Sequence, residues 1–327
     1  MTHYARIALV AGVVSAWAAS VPPGSAWPAG TRQAVDPMGA LTADSAAILE
    51  DLRYLSSDAL EGRSPGSPGS ELARRRLIAV LREAGLKPGP TGFEAPFQFT
   101  GRRDTVPRTG VNVLGIRPGT GEAPGVIVVS GHYDHVGVRD GQIFNGADDN
   151  ASGAVGVTAL ARALRGVPLR HTVVFVSFDA EESGLRGARA FVGEPPVPLA
   201  DLAVNVNMDM VARTGGLLWA AGAYHTPALR PILEDVAARS PVTLRLGHDS
   251  PGAPEGDDWT RQSDHFAFHE AGIPFVYLGV EDHPDYHRPT DDFEGVDPGE
   301  YMNALRAALL TVLALDEALP LSPGGGA

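Results

Sequence analysis

The chain contains no cysteine, which rules out disulfides, thiolate metal sites and cysteine nucleophiles together and leaves His, Asp and Glu to hold any metal. Lysine is almost missing as well: Lys87 stands alone, and 26 basic residues face 39 acidic ones for a formal charge of −13. A balance of that sign argues against a phosphate-backbone partner, so no nucleic-acid binding is expected. Nor is there an apolar run of the roughly 20 residues that a membrane-spanning helix needs. The nearest candidate, Ile7 to Ala19, is short, follows Arg6, contains the cleavage-like Ala16-Trp17-Ala18 and runs into Pro22-Pro23-Gly24. It reads as a signal peptide over residues 1–18, implying a secreted or periplasmic protein with no stable membrane insertion after cleavage.

What is present is ample apolar content, 44%, in an alternation of strand-like and helix-like segments. Val111 to Ile116, Gly125 to Ser130, Thr172 to Phe178, Leu202 to Met208 and Ile273 to Gly279 read as strands, several fully apolar as in a sheet centre. Ser70 to Ala84, Ala151 to Leu164, Leu185 to Phe191, Pro227 to Arg239 and a last helix starting at Asp297-Pro-Gly-Glu300 read as helices. That order implies βαβ units and a largely parallel sheet. Residues 19–40 read as a flexible linker, 41–318 as one domain and 319–327 as a disordered tail. Thr214 to Trp259, rich in Gly and Pro and free of motifs, is expected to wall the pocket.

Chemistry collects where the strands end. Phe178 is followed by Asp179, Ala180 and the pair Glu181-Glu182, in which one acid can hold a metal while its neighbour handles a proton. Ser130 is followed by Gly131, His132, Tyr133, Asp134 and His135; if strand geometry persists, His132 and Asp134 point the same way, as needed for a carboxylate to orient a metal-bound imidazole. Asp148 and Asp149 precede a helix, where simple capping is the plainer explanation. Asp209 closes another apolar strand, and His287 sits in a loop after the last one. Carboxylates brought this close repel one another unless a cation offsets them. Two histidines and three carboxylates fit two metals, each with an imidazole and a terminal acid and with the third acid bridging. Imidazole and carboxylate without thiolate favour two Zn2+, with Co2+ or Mn2+ as possible substitutes.

His132-Tyr-Asp134, Gly146-Ala-Asp-Asp-Asn-Ala-Ser-Gly153, Glu181-Glu182-Ser-Gly-Leu-Arg-Gly187, Asn207-Met-Asp209-Met210 and Tyr286-His287-Arg-Pro-Thr-Asp291 resemble, in order, the motifs of the M28 zinc aminopeptidases. Leu52 to Asp58 and Leu60-Glu-Gly-Arg63 are similar to the family's leading segment, and the stretch between Lys87 and Val111 is too short for the protease-associated insert that some members carry before the catalytic core. The resemblance implies an α/β three-layer αβα sandwich with a mostly parallel mixed central sheet, acting on peptide or aminoacyl substrates. It implies that Asp149, with Asp148 as rival, bridges the metals, that His132 and Asp209 complete one site and Glu182 and His287 the other. Asp134 would orient His132, and Glu181 would be the general base for attack by a metal-activated water. Ser263-Asp264-His265 also matches a family segment, but the family's oxyanion tyrosine has no match just before Ser263. His225, His248, His265, His269 and His283 read as surface or supporting groups. A glutaminyl cyclase, a hydrolase of another amide and a non-catalytic receptor on the same scaffold are the rival functions.

Overall fold

Val, Ile and Phe crowd the strands expected above, and in the computed structural model, which describes residues 35–101, 105–121, 123–252, 254 and 256–321, they pair into one sheet. Helices α1 (Pro37–Ala43), α2 (Ser45–Leu55) and α3 (Pro68–Glu83) come first. They are followed by β1 (Glu94–Thr100), β2 (Pro107–Arg117), β3 (Val126–His132) and a small hairpin of β4 (Gly137–Arg139) and β5 (Gln142–Phe144). Then come α4 (Gly153–Ala163), β6 (Thr172–Phe178), α5 (Arg186–Gly193), β7 (Leu202–Met208) and β8 (Leu217–Ala221). The chain ends with α6 (Arg230–Arg239), β9 (Thr243–Leu246), α7 (His265–Glu270), β10 (Phe275–Gly279) and α8 (Pro298–Ala318).

The main sheet has eight strands in the order β1-β2-β6-β3-β7-β10-β8-β9. Its middle four, β6, β3, β7 and β10, are mutually parallel. Antiparallel pairs join β1 to β2, β2 to β6 and β10 to β8. The sheet is covered on both faces, and the alternation along single strands shows why: Ile127, Val129, Val173 and Phe175 pack with Leu160 of α4 and Leu305 of α8, whereas Val128, Val174, Val176 and Phe178 pack with Phe191 of α5 and Phe268 of α7. Each such side chain contributes roughly 1.5–3 kcal/mol by leaving water, which makes the centre the most secure part of the frame. The fold is the expected α/β sandwich, with a mostly parallel mixed sheet between helical layers.

Several local differences have physical causes. Helix α1 starts at Pro37, inside the segment expected to be linker, because the Asp36 carboxylate caps it by accepting the Met38 N–H (3.0 Å). Strand β1 escapes the sequence pattern because it is an edge strand with mostly exposed side chains. Residues Thr214 to Leu246 are not chiefly a pocket wall: they build β8, α6 and β9, the far edge of the sheet. Asp297 caps α8 as expected, accepting from Gly299 N–H (2.8 Å) and Glu300 N–H (2.9 Å), but Glu300 reaches across to Gly215 N–H (2.8 Å) rather than back to the cap. The proposed signal over residues 1–18 lies outside the described residues. No helix among them is long and apolar enough to cross a membrane.

Candidate metal centre

Parallel neighbours end on the same side, so β6, β3, β7 and β10 bring Glu181-Glu182, His132, Asp209 and the 280–292 loop to one edge of the sheet. At the end of β6, Asp179 turns back to accept the Val111 N–H (2.9 Å), and Ala180 adopts φ 59° before the glutamates. Met210, just after Asp209, and His287 itself are also left-handed, at φ 58° and 53°. Such conformations cost about 1–3 kcal/mol each in residues other than glycine and are typically tolerated where they aim functional groups.

The loop before α4 is stitched to the end of β7. Asn150 donates to the Met208 carbonyl (3.0 Å) and its Oδ1 accepts the Gly153 N–H (2.7 Å), the first N–H of α4. Asp148 accepts the Ala212 N–H (2.6 Å) through Oδ1 and faces His283 Nε2 (3.2 Å) through Oδ2, which turns it away from the neighbouring ligands. Asp149 points into the centre. Its two oxygens face different partners: Oδ1 lies 3.5 Å from His132 Nε2, and Oδ2 lies 3.0 Å from His287 Nε2.

Two groups of potential ligands therefore share Asp149. The first is His132, Asp149 and Asp209, with His132 Nε2 3.3 Å from Asp209 Oδ1. The second is His135, Asp149 and Glu182, with His135 Nδ1 2.9 Å from Glu182 Oε1, and His287 Nε2 approaches that same oxygen at 3.4 Å. The expected residues His132, Asp149, Glu182, Asp209 and His287 thus converge. His135 joins them although the sequence reading left it out. Asp149 Oδ2, Glu182 Oε1, Asp209 Oδ1 and both ring nitrogens of His135 are buried without a hydrogen bond, an arrangement proteins rarely leave uncompensated. Converging oxygens and imidazole nitrogens of this kind suit a divalent cation, so the residues present fit the metal that the motifs imply.

The charges respond to this crowding. Burial opposes protonation of His132, yet Asp209, Glu181 and Asp149 around it lift its pKa well above the usual histidine value. His287 is pushed up to about 10: burial works against it, but Asp149 and Glu182 outweigh that. Burial likewise opposes ionisation of Glu182, but His135 and His287 hold its carboxyl well below the usual range. Glu181 goes the other way. Burial raises its pKa well above the usual carboxylate value, and repulsion from Asp264, Glu182 and Asp209 adds to the rise while His132 moderates it. The two adjacent glutamates thus occupy opposite electrostatic states. Glu181 belongs to neither ligand group and lines a cavity of about 410 Å³ together with His132, Asp149, Asp209, Trp259 and Tyr286.

Asp134 is placed differently from the expectation that its carboxylate orients His132. That carboxylate is 3.7 Å from His132 Nδ1, which instead donates to the Asp134 main-chain carbonyl (3.1 Å). The carboxylate itself accepts the N–H groups of Glu181 (3.0 Å) and Glu182 (3.4 Å), fixing the glutamate pair. Among the residues expected to wall the pocket, Trp259 does line it, stacked on His248 at 3.8 Å, and Arg261 and Gln262 extend that wall.

Other supporting groups were given no role from the sequence, although Asp291 closes one of the family-like motifs. Arg213 clamps the His287 loop through Asp285 (2.7 Å) and Asp291 (3.3 Å). Asp291 in turn accepts the N–H groups of Asp148 (3.1 Å) and Asp149 (3.0 Å), and burial together with the Asp148 charge raises its carboxyl to about 6. Replacing Asp291 by Ala would strand two buried N–H groups and take away one of the partners of Arg213. Asp291→Ala is expected to lower stability by about 3 kcal/mol and weaken divalent-metal binding by about 10–100-fold. Thermal melts and chelator competition measure both, and a native melt with native metal affinity would contradict the assignment.

Comparison with known proteins adds an independent line. The profile of Peptidase family M28 matches residues 112–312. Aminopeptidase YwaD of Bacillus subtilis is 33% identical over 199 residues, 58% of this chain and 41% of that protein. The chain thus spans well under half the length of this curated relative. A zinc aminopeptidase from Bacillus subtilis shares the fold with a TM-score of 0.65 at 19% identity, matching 84% of this chain and 95% of its own. Glutaminyl cyclase of Porphyromonas gingivalis does so with a TM-score of 0.66 at 20% identity, over 88% and 100%. With the profile match running from β2 into α8, over more than half of the sequence and through every ligand named above, the chain belongs to peptidase family M28.

Proposed function

We propose that this chain is an exported zinc aminopeptidase, whose single catalytic domain spans residues 41–318 and holds two zinc ions. The observation that carries the reading is the sharing of Asp149 between two ligand groups, with Glu181 left uncommitted beside them. His132, Asp209 and Asp149 would hold one ion, and Glu182, His287 and Asp149 the other. When bound, the ions supply Lewis acidity: they lower the pKa of water and polarise a carbonyl oxygen. Glu181 accepts the proton of the attacking water and delivers it to the departing amine, a role suited to a carboxyl whose pKa lies above the ordinary range. Asp134 keeps that carboxyl in place through the Glu181 N–H. Tyr286, which lines the cavity and stacks on His287 at 4.0 Å, is the donor we assign to the developing oxyanion, the role left unfilled near Ser263. Export is supported by the sequence of residues 1–18 alone.

Zinc content together with a panel of aminoacyl anilides tests the reading. Two equivalents of zinc, hydrolysis abolished by a chelator and restored by Zn2+, and no hydrolysis of N-blocked substrates are expected. Including a glutaminyl peptide separates the nearest rival, since glutaminyl cyclase of Porphyromonas gingivalis shares the fold. Cyclisation without anilide hydrolysis would replace the peptidase reading. A chain that binds no metal would support a non-catalytic role.

A further inference from the structure

We propose that His135 is a fourth protein ligand to the cation held by Glu182, His287 and Asp149, closing that position from the interior of the fold. The inference rests on the metallopeptidase reading but concerns a residue outside the set assigned there.

Distances among the ligand atoms carry it. Zinc bonds of about 2.0–2.1 Å in a tetrahedron place neighbouring ligand atoms about 3.3 Å apart. In the second group, His135 Nδ1 is 2.9 Å from Glu182 Oε1 and 3.8 Å from Asp149 Oδ2. His287 Nε2 is 3.4 Å and 3.0 Å from the same two oxygens. These four of the six edges of such a tetrahedron scatter around its edge length, and the atoms come from four different segments of the chain.

The state of the imidazole points the same way. His135 is fully buried and neither ring nitrogen has a hydrogen bond among the described residues, although Nδ1 lies so near Glu182. A buried imidazole kept only for packing would be expected to satisfy at least one nitrogen. The ring is also held closely. Gly146, at φ 55°, passes so near that a Cβ there would lie 2.5 Å from His135 Cδ2, so the turn before Asp149 leaves room for this imidazole only because it carries glycine.

A functional asymmetry follows. Both groups border the cavity, the first through His132, Asp149 and Asp209 and the second through Asp149, Glu182 and His287, and His135 stands behind its lining. Structural zinc positions are closed by four protein ligands, and catalytic ones keep a place open. With His135 the second position has four protein ligands, against three at the other. It holds its ion the more tightly and fixes Asp149 and Glu182.

Zinc titration against a chromophoric chelator, on the full chain and on His135→Gln, tests this. The expected result is one equivalent held as in the native protein and one weakened by about 100-fold, with a changed absorption spectrum when Co2+ replaces zinc. Two equivalents at native affinity with an unchanged cobalt spectrum would overturn it. If His135→Gln does not fold, long-range 1H–15N imidazole spectra of the native protein decide: on zinc addition, a His135 Nδ1 resonance moving to a metal-bound shift supports the ligand, and one that keeps its proton removes it. A native chain that binds two zinc ions and hydrolyses anilides while His135→Gln is indistinguishable from it sinks this inference alone. A native chain without zinc sinks the metallopeptidase reading and this one together.

Discussion

Glu181→Gln is expected to retain the native complement of metal while losing about 10²–10⁴-fold in kcat, with KM for an aminoacyl anilide little changed. The split follows from the division of labour between the adjacent glutamates. Glu182 meets His135 and His287 and is held ionised, whereas Glu181 stands outside both ligand groups with its pKa driven upward. Gln keeps the shape and the main-chain hydrogen bond to Asp134, so neither packing nor ligand placement should move. Only the capacity to take a proton is removed. Metal analysis beside steady-state kinetics reads both halves, and a metal-replete variant turning over at the native rate would end the assignment of Glu181 as the base.

Arg63→Leu is expected to cost about 3–5 kcal/mol of stability, the largest effect of any single change away from the ligands. Arg63 is fully buried, and its guanidinium donates to the carbonyls of Leu55 (2.5 Å), Tyr133 (2.7 Å), Asn145 (2.6 Å) and Gly146 (2.9 Å). Leucine would leave those carbonyls without their donors. Burial pushes the Arg63 pKa down to about 10, while Asp134 and Asp149 nearby oppose the shift. The arginine thus joins the end of β3 to the turn that carries Asp149, and its loss should weaken metal binding as well as folding. Lysine, with one compact ammonium, cannot reach four carbonyls in the geometry of a guanidinium fork, so Arg63→Lys should recover only part of the loss. Urea unfolding at constant slope measures the difference, and a shift below about 1 kcal/mol in the leucine variant would show that the clamp is unimportant.

The parts legible in the sequence were those governed by short-range pattern. Thr172–Phe178 and Leu202–Met208 are strands with the bounds expected from their apolar runs, because both faces of the sheet are buried there. Acids and histidines at strand ends located His132, Asp149, Glu182, Asp209 and His287, and the structure brings these together. The period-two argument failed just past the strand. Strand β3 stops at His132, so the side chains of Asp134 and His135 follow the turn rather than the pleat: the Asp134 carboxylate goes to the glutamate N–H groups, and His135 comes round to Glu182. Arg213 and the edge strand β1 were illegible for another reason, and Arg63, although it ends a family-like segment, gave no sign of the clamp it makes. Their partners lie far along the chain, and nothing in local composition announces a long-range clamp or an exposed strand.

The sharing of Asp149 also bears on how the protein matures. Its partners run from residue 132 to residue 287 and reach the centre only after β6, β3, β7 and β10 have paired, so no local fragment can present the full ligand set. A cation bound there acts as a reversible cross-link over several long loops, favouring the folded chain in proportion to its free concentration. Metal supply where the chain folds then bears on assembly, and the chain is expected to melt at a lower temperature when divalent metal is withheld.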